Sequence, residues 1–288
     1  MTGANLGASV RARLRNLARR DGVDFGAVLT RYGIERMLYR LSLGDSRGIF
    51  LLKGALLFDV WFDTPARPTR DVDLLALGPV DVERVEAAVR EACQREVADG
   101  LNFFPGTVST VDIRRTAGYP GVRVTAQGEL DGARIHVQLD VAFGDAVTPG
   151  PEVVVFPVLL EGMQPPVLHA YPKETAIAEK LEAVVRLGRV NSRVKDHFDL
   201  WILLVLDGAD PRDIAPAVAA TFARRETTIP TSVPSGLSQE YAQDPRVLAQ
   251  WRAFISRNRL AAPELADVLG QVREVALPLL ALARALRD

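Results

Sequence analysis

The sequence predicts an α+β protein in which a small mixed sheet lies between two groups of helices. Apolar residues recur at helical spacing from residue 6 to about residue 43, and again from Pro172 almost to the last residue. Between these stretches, several runs alternate apolar with polar residues, as half-buried strands do. Helices on both sides of a sheet in this chain order indicate two lobes, and two lobes imply a cleft.

The composition is typical of a soluble globular protein. Of 288 residues, 48% are apolar, which is enough for one large core or two modest ones. Cys93 is the only cysteine, which excludes an internal disulfide framework and favours a reducing compartment. The first 20 residues lack the apolar stretch of a signal peptide, and no run of 18 apolar residues could cross a membrane. We therefore expect a cytoplasmic protein with no membrane contact.

Turn and proline signals divide the chain into three regions. Residues 1–47 are predicted to be N-terminal helices, residues 48–165 the sheet-containing core, and residues 166–288 a C-terminal helical domain. The proline-marked stretch from Gly162 to Pro166 supports the second boundary.

The same signals predict individual elements. Five strands are expected in the core, at about 49–53, 71–75, 107–115, 121–129 and 134–142. One amphipathic helix is expected from Asp81 to Asp99, closed by Gly100. The C-terminal helices are expected to start near Pro172, Asp196, Pro211 and Pro263, with a long loop from Thr227 to Asp244.

Two neighbouring carboxylates define the first candidate site. Strand alternation places Thr69, Asp71 and Asp73 on one face. Two like charges side by side on a strand repel unless a cation compensates them. Mg²⁺ is suited to this role, because it takes hard oxygen ligands and is held by one or two carboxylates plus substrate phosphates. An Asp-x-Asp pair also occurs on surface strands without function, so the pair alone is weak support.

A third carboxylate comes from a later strand. In the run from Ile135 to Val141, alternate residues are apolar, and Asp140 lies on the opposite, polar face with His136 and Gln138. If this strand pairs beside the Asp71 strand, three carboxylates converge, as two-metal nucleotidyl transfer requires. Asp140 could then assist deprotonation of the attacking hydroxyl. An ordinary strand-end aspartate is the alternative reading of this residue.

The turn at Gly54 and Ala55 is a candidate phosphate site. Small residues between a strand and a helix let backbone N–H groups approach phosphate oxygens closely. A simple packing turn is the alternative.

Lysine is rare in this chain, which makes its positions informative. The net charge is −1, and only four of the 35 basic residues are lysine. Lys173 and Lys180 lie seven residues apart, hence on one face of a predicted helix. Arg193 and Lys195 precede Asp199, which is four residues after Lys195 and could hold a lysine in position. A solvated helix with surface ion pairs is the alternative.

These residues together resemble a known superfamily. A Gly54-Ala55 turn, the motif Arg67-x-Thr69-x-Asp71-x-Asp73 and a later strand aspartate are similar to the polymerase-β nucleotidyltransferases. That superfamily usually has a second Gly or Ser where this chain has Ala55, so a hydroxyl contact to phosphate is lost here. The resemblance implies a polymerase-β-like core, with Asp71, Asp73 and Asp140 as metal ligands.

A narrower resemblance covers about residues 50–205. Five short motifs together resemble the AbiEii/AbiGii nucleotidyltransferase toxins, including the MenT group. They are Leu52-Lys53-Gly54, Arg67-x-Thr69-x-Asp71-x-Asp73, Pro172-x-Glu174, Ala178-Glu179-Lys180 and Arg193-x-Lys195-Asp196-x-x-Asp199-Leu200. The family implies Mg²⁺, a nucleoside triphosphate (NTP) substrate and an antitoxin protein from the same operon. It also implies transfer of nucleotides, pyrimidines in the MenT group, to the 3′ acceptor end of tRNA, which blocks translation.

The family resemblance also assigns roles by position. Lys180 would take part in catalysis and, with Lys173, bind the triphosphate. The further nucleotide-binding candidates are Gly54, Ala55, Thr69, Arg193, Lys195 and Asp199. A phosphate on Thr69 would repel the triphosphate, so a regulatory switch there is a further hypothesis. Two other functions stay open: a nucleotidyltransferase that modifies a small molecule or a protein, and a non-catalytic binding relative.

Overall fold

The computed structural model describes residues 3–44, 48–62, 69, 71–114 and 120–287. Within these residues the chain forms ten α-helices and seven β-strands, which confirms the predicted mixture of helices with a mixed sheet. The helices are α1 (Gly3–Asp21), α2 (Phe25–Ser42), α3 (Phe58–Trp61), α4 (Val82–Gln94), α5 (Lys173–Leu187), α6 (Val194–Leu200), α7 (Pro211–Arg224), α8 (Gln239–Gln243), α9 (Pro245–Asn258) and α10 (Leu265–Ala285). The strands are β1 (Phe50–Lys53), β2 (Asp71–Ala76), β3 (Leu101–Arg114), β4 (Pro120–Leu130), β5 (Ala133–Phe143), β6 (Glu152–Val155) and β7 (Val167–Ala170).

All seven strands form one sheet, in the order β3-β4-β5-β2-β1-β7-β6. The hairpins β3-β4 and β4-β5 are antiparallel, as are β1-β2 and β6-β7. Two pairs are parallel: β2 with β5, and β1 with β7. The parallel pairing of β2 with β5 joins residues that are 67 positions apart in the sequence, such as Asp71 and Gln138, and it is the pairing that the candidate site needed.

One face of the sheet is packed against helices. Helix α2 contacts β5, α4 contacts β3 and β4, and α2 also contacts α4. Gly33 in α2 permits this close packing, because a Cβ atom there would lie 2.4 Å from Cγ2 of Ile135. The side chains on this face are fully or almost fully buried: Val72, Leu74, Val122, Val124, Val137, Leu139 and Val141. Burial of this apolar face fixes which side chains point the other way.

Buried ion pairs tie the loops of this region to α2. Arg40 donates to both carboxylate oxygens of Asp99, at 2.6 and 3.1 Å, and Tyr32 donates to the carbonyl oxygen of Asp99 at 2.6 Å. Helix α4 ends at Gln94, so the predicted helix from Asp81 to Asp99 is wrong at its C-terminal end. The chain leaves the helix there, and Asp99 reaches Arg40 instead.

Compact packing divides the chain into two units. Unit 1 consists of Met1–Gly144 and Glu152–Ala170, and contains α1 to α4 and the whole sheet. Unit 2 consists of Asp145–Pro151 and Tyr171–Asp288. The predicted domain bounds 1–47, 48–165 and 166–288 stay predictions.

Unit 2 is helical, with α5 packed against α6 and α7. Arg225 forms ion pairs with Asp145, Glu179 and Glu182 at 3.0 to 3.1 Å, and thereby ties the residue 145–151 segment to α5. The predicted helix starts agree with the structure to within two residues.

Other predictions of local structure were wrong or incomplete. The segment from Thr227 to Asp244 contains a 3₁₀-helix, Ser235–Leu237, and α8, because Leu237 and Tyr241 are buried in the core of unit 2. Strands β6 and β7 were both missed, since each has only four residues. Among the described helices, none has both the length and the apolar character needed to span a bilayer.

Candidate active site

The turn after β1 lies directly against Asp73. Gly54 has φ +75°, a conformation that L residues rarely adopt, and it starts a 3₁₀-helix that leads into α3. A Cβ atom on Gly54 would lie 2.3 Å from Oδ2 of Asp73. Glycine is therefore required here twice, for its backbone conformation and for the approach of the carboxylate. Ala55 is buried, so its methyl group belongs to the packing of the turn.

Four charged residues form a row across the sheet. Asp73 on β2 is paired in register with Asp140 on β5 and, on its other side, with Lys53 on β1. Asp140 is paired in turn with Arg123 on β4. Residues that are directly opposite in a sheet project from the same face. The row therefore carries two carboxylates in its centre and one basic residue at each end, on the face opposite to the packed helices.

A second row, of polar residues, runs beside the first. Asp71 is in register with Gln138, and Gln138 with Thr125. Nε2 of Gln138 donates to Oδ1 of Asp71 at 3.0 Å. The hydroxyl of Thr69 is 3.4 Å from the carbonyl oxygen of Asp71, so this side chain turns towards the backbone of the strand. Residues Arg67, Pro68 and Arg70 of the predicted motif lie outside the described residues.

Arg123 holds the third carboxylate. Its Nε and Nη2 atoms donate to Oδ1 and Oδ2 of Asp140, each at 2.8 Å. The side chain of Arg123 is 40% exposed and that of Asp140 is 13% exposed. The hydrogen bond to Asp140 raises the pKa of Arg123, and the charges of Asp140, Asp71 and Asp73 act in the same direction. The guanidinium of Arg123 thus interacts electrostatically with all three aspartates.

The carboxylates fit a divalent cation in their chemistry. Asp71, Asp73 and Asp140 supply hard oxygen donors on one sheet face, and Asp73 has a close-fitting position above Gly54. Within the described residues, no three His, Cys, Asp or Glu side chains are already grouped closely enough to hold a metal. Their role as ligands of Mg²⁺ stays a prediction.

In unit 2, Lys180 is held by two buried aspartates of α6. Its Nζ atom is 2.5 Å from Oδ2 of Asp199 and 3.5 Å from Oδ1 of Asp196. Asp199 is fully buried, and 11% of the Lys180 side chain is exposed. Sequence spacing suggested that Asp199 holds a lysine in position and placed Lys195 four residues before it; the lysine that Asp199 contacts is Lys180 of α5, and Lys195 is exposed.

The other basic candidates of unit 2 are more exposed. Lys173, in the first turn of α5, donates to Oδ2 of Asp207 at 2.8 Å. Arg193 is the residue before α6, and its backbone N–H donates to the side-chain oxygen of Asn191. Binding of a triphosphate by Lys173, Lys180, Arg193 and Lys195 stays a prediction.

Three residues of the carboxylate face were not predicted as site residues: Lys53, which was named only within a motif, Gln138, which was named only on the polar strand face, and Arg123. A signal was present for two of them. Lys53 ends an apolar strand in a chain that prefers arginine, and Arg123 lies between the apolar residues Val122 and Val124. What the sequence could not provide was the register that places them beside the aspartates.

Known proteins resemble this chain in family and in fold. The profile of the family described as the nucleotidyl transferase AbiEii toxin of type IV toxin–antitoxin systems matches residues 36–273. No curated protein matches the chain. The chain is similar in structure to a crystal structure described as that of a candidate nucleotidyltransferase from Helicobacter pylori, with a TM-score of 0.50 at 14% identity over 92% of this chain and 99% of that one. JHP933, also from H. pylori, has a TM-score of 0.48 at 14% identity, over 91% of this chain and 94% of its own.

The first of these two structures shares the fold, and the family profile spans most of the chain, including the Gly54 turn, the three aspartates and Lys180. This chain therefore belongs to the AbiEii nucleotidyltransferase toxin family.

Proposed function

We propose that this protein is a toxin that transfers a nucleoside monophosphate from an NTP to the 3′ acceptor end of tRNA, in a Mg²⁺-dependent reaction that blocks translation. The observation that carries the catalytic part is the placement of Asp71, Asp73 and Asp140 on one face of the sheet, with Asp73 against the Gly54 turn. The acceptor and the preference for a pyrimidine rest on the motifs shared with the MenT group.

In the proposed reaction, the 3′-hydroxyl oxygen of the acceptor attacks the α-phosphorus of the NTP. The bond between the α-phosphorus and the bridging oxygen breaks, and pyrophosphate leaves. The proton of the hydroxyl passes to Asp140. Asp71, Asp73 and Asp140 would hold Mg²⁺, which would lower the pKa of the hydroxyl and neutralise phosphate charge.

The protein's own residues supply position and charge. Backbone N–H groups after Gly54 can approach phosphate oxygens because the turn carries no side chain at its first residue. Lys180 is kept in one orientation by Asp199, which suits an ammonium that must meet a phosphate at a fixed place. A cognate antitoxin is the proposed protein partner, in keeping with the family.

A labelling assay tests the function. The purified full chain is incubated with Mg²⁺, each α-labelled NTP in turn, and total tRNA, a set of small-molecule acceptors or candidate proteins. We expect label on tRNA, and no label with Asp73→Asn or Asp140→Asn. Asp112→Asn is the matched control, because Asp112 is an exposed aspartate on the edge strand β3.

Each outcome decides between functions. Label on a small molecule or a protein but not on tRNA would support the other nucleotidyltransferase reading. Absence of label on every acceptor, with bound NTP, would support a non-catalytic binding relative. Full activity of Asp73→Asn would contradict the assignment of the carboxylates.

A further inference from the structure

Arg123 and Lys53 are the two charged groups of the row to which the proposed chemistry gives no role, and Arg123 is the more exposed of the two. It approaches Asp140 as a fork, with two parallel N–H donors on the two oxygens. This is the geometry in which an arginine binds a carboxylate most strongly, and it uses the lone pairs that face the guanidinium.

The pair is not needed to hold the sheet together. Strands β4 and β5 are paired over ten consecutive residue pairs, from Gly121 with Ala142 to Leu130 with Ala133, and the hairpin turn fixes their register. One additional ion pair with a 40% exposed arginine adds little to that ladder. The position of Arg123 at the end of the charged row, directly beside Asp140, therefore suggests a role other than stability.

Charge balance suggests what this role is. Asp71, Asp73 and Asp140 bring three negative charges to one face, and Lys53 and Arg123 bring two positive charges to the ends of the row. Lys53 is 3% exposed, so its movement is restricted, whereas Arg123 reaches solvent. Arg123 is thus the cation of the row that can leave its carboxylate.

We propose that Arg123 is a resident counter-cation of Asp140, which a divalent cation displaces and which then binds a phosphate of the incoming NTP. This inference rests on the proposed function. The binding of the two ligands is then coupled. Metal binding is disfavoured while Arg123 is paired with Asp140, and triphosphate binding favours metal binding because Arg123 can then pair with a phosphate. Both anions are ones that a guanidinium binds with paired hydrogen bonds.

Mn²⁺ binding to the full chain without nucleotide tests the displacement, with electron paramagnetic resonance as the readout of free Mn²⁺. For Arg123→Ala we expect Mn²⁺ affinity to rise roughly five-fold to ten-fold, since a partly exposed competing ion pair is lost. Arg123→Lys keeps the charge without the fork and should give an intermediate value. The gain should vanish in the double variant Arg123→Ala/Asp140→Asn.

Nucleotide binding tests the second half of the proposal. Affinity for a non-hydrolysable NTP analogue, measured by calorimetry in the presence of Mn²⁺, should fall by at least about ten-fold in Arg123→Ala, because a charge-assisted contact to phosphate is lost. Arg134→Ala is the matched control: Arg134 is an exposed arginine of β5, opposite Glu129, and its loss removes the same net charge far from Asp140.

Opposite changes in the two affinities are the signature of displacement, which a purely structural arginine would not produce. Unchanged or weaker Mn²⁺ binding in Arg123→Ala, in a protein that still transfers nucleotides, would overturn this inference and leave the proposed function intact. If neither the wild type nor Arg123→Ala binds Mn²⁺ and the wild type transfers no nucleotide, both are overturned.

Discussion

The ion pair of Arg123 with Asp140 in the sheet and that of Lys180 with Asp199 in the helical unit differ more in the burial of their side chains than in the distance between their charged atoms. Arg123 and Asp140 are joined at 2.8 Å between two strands of unit 1, with the arginine 40% exposed. Lys180 and Asp199 are joined at 2.5 Å between two helices of unit 2, with the aspartate fully buried. Water can replace either partner of the first pair, but it cannot reach Asp199.

Burial therefore decides what each pair can do. An exposed pair contributes little to stability and its members can exchange partners. A buried pair is costly to break, because the remaining charge stays in a medium of low dielectric constant. We infer that unit 1 carries the exchangeable charges and that unit 2 holds Lys180 in one place. Four changes test or sharpen this contrast, in order of expected effect.

Removal of Lys180 should have the largest effect on stability. Lys180→Met leaves Asp199 buried without this ammonium, and we expect a loss of about 3 kcal/mol in the free energy of unfolding. Denaturant unfolding measures it. Lys173→Met, on the same helix but in a pair that is 32% and 24% exposed, should cost less than about 1 kcal/mol. Equal losses in both variants would remove the distinction between buried and exposed pairs.

The loss from Lys180→Met should be partly reversed in the double variant Lys180→Met/Asp199→Leu, because the fully buried charge of Asp199 is then removed, whereas that of Asp196 stays.

Gly54→Ala should follow, at about 2 to 3 kcal/mol, since the added Cβ meets Asp73 in addition to adopting an unfavourable φ. Gly78→Ala separates these two costs: Gly78 has φ +73°, but a Cβ there would meet no atom within 4 Å. It should cost about 1 kcal/mol. Gly54→Ala should also lose nucleotide transfer, because Asp73 must move. Equal losses of stability in Gly54→Ala and Gly78→Ala, with nucleotide transfer retained, would show that the activity does not require Asp73 to lie against the Gly54 turn.

The pH dependence of unit 2 gives a smaller effect. His197 is fully buried, with Nε2 2.9 Å from the carbonyl oxygen of Gly236, and burial lowers its pKa although Gly236 and the charge of Asp196 act to raise it. The unfolded state therefore binds a proton more readily, so stability should fall as the pH drops below about 6.5, the ordinary pKa of histidine.

The loss should approach about 1.4 kcal/mol for each unit by which the pKa is lowered. Chemical unfolding at pH 7.5 and 5.5, compared between the wild type and His197→Gln, isolates this contribution. The same pH dependence in both proteins would rule out His197 as its source.

Loss of the exchangeable pair should have the smallest effect on stability. Arg123→Ala should lower the free energy of unfolding by less than about 1 kcal/mol, because the arginine is partly exposed and the strand ladder is intact. Thermal and denaturant unfolding measure it, with Arg134→Ala as the control. A loss as large as that for Lys180→Met would place Arg123 with the structural pairs and contradict the contrast drawn here.

Local patterns were sufficient for much of the fold. Alternation in β2 and β5 predicted the polar face of Asp71, Asp73 and Asp140, and the small residues at Gly54 predicted the tight turn. Helix starts at prolines also followed from the sequence, as Pro211 at the start of α7 illustrates. The end of α4 did not, because it depends on the distant ion pair of Asp99 with Arg40.

The sequence by itself determined which side chains of each strand share a face, because a strand's alternation has a period of two and needs no partner. Only the tertiary structure decided that Asp140 lies beside Asp73, that Arg123 occupies Asp140, and that Asp199 holds Lys180 instead of Lys195. These contacts join residues from separate elements. They depend on strand order, register and helix packing, which are set by burial of the whole apolar surface and not by any local run of residues.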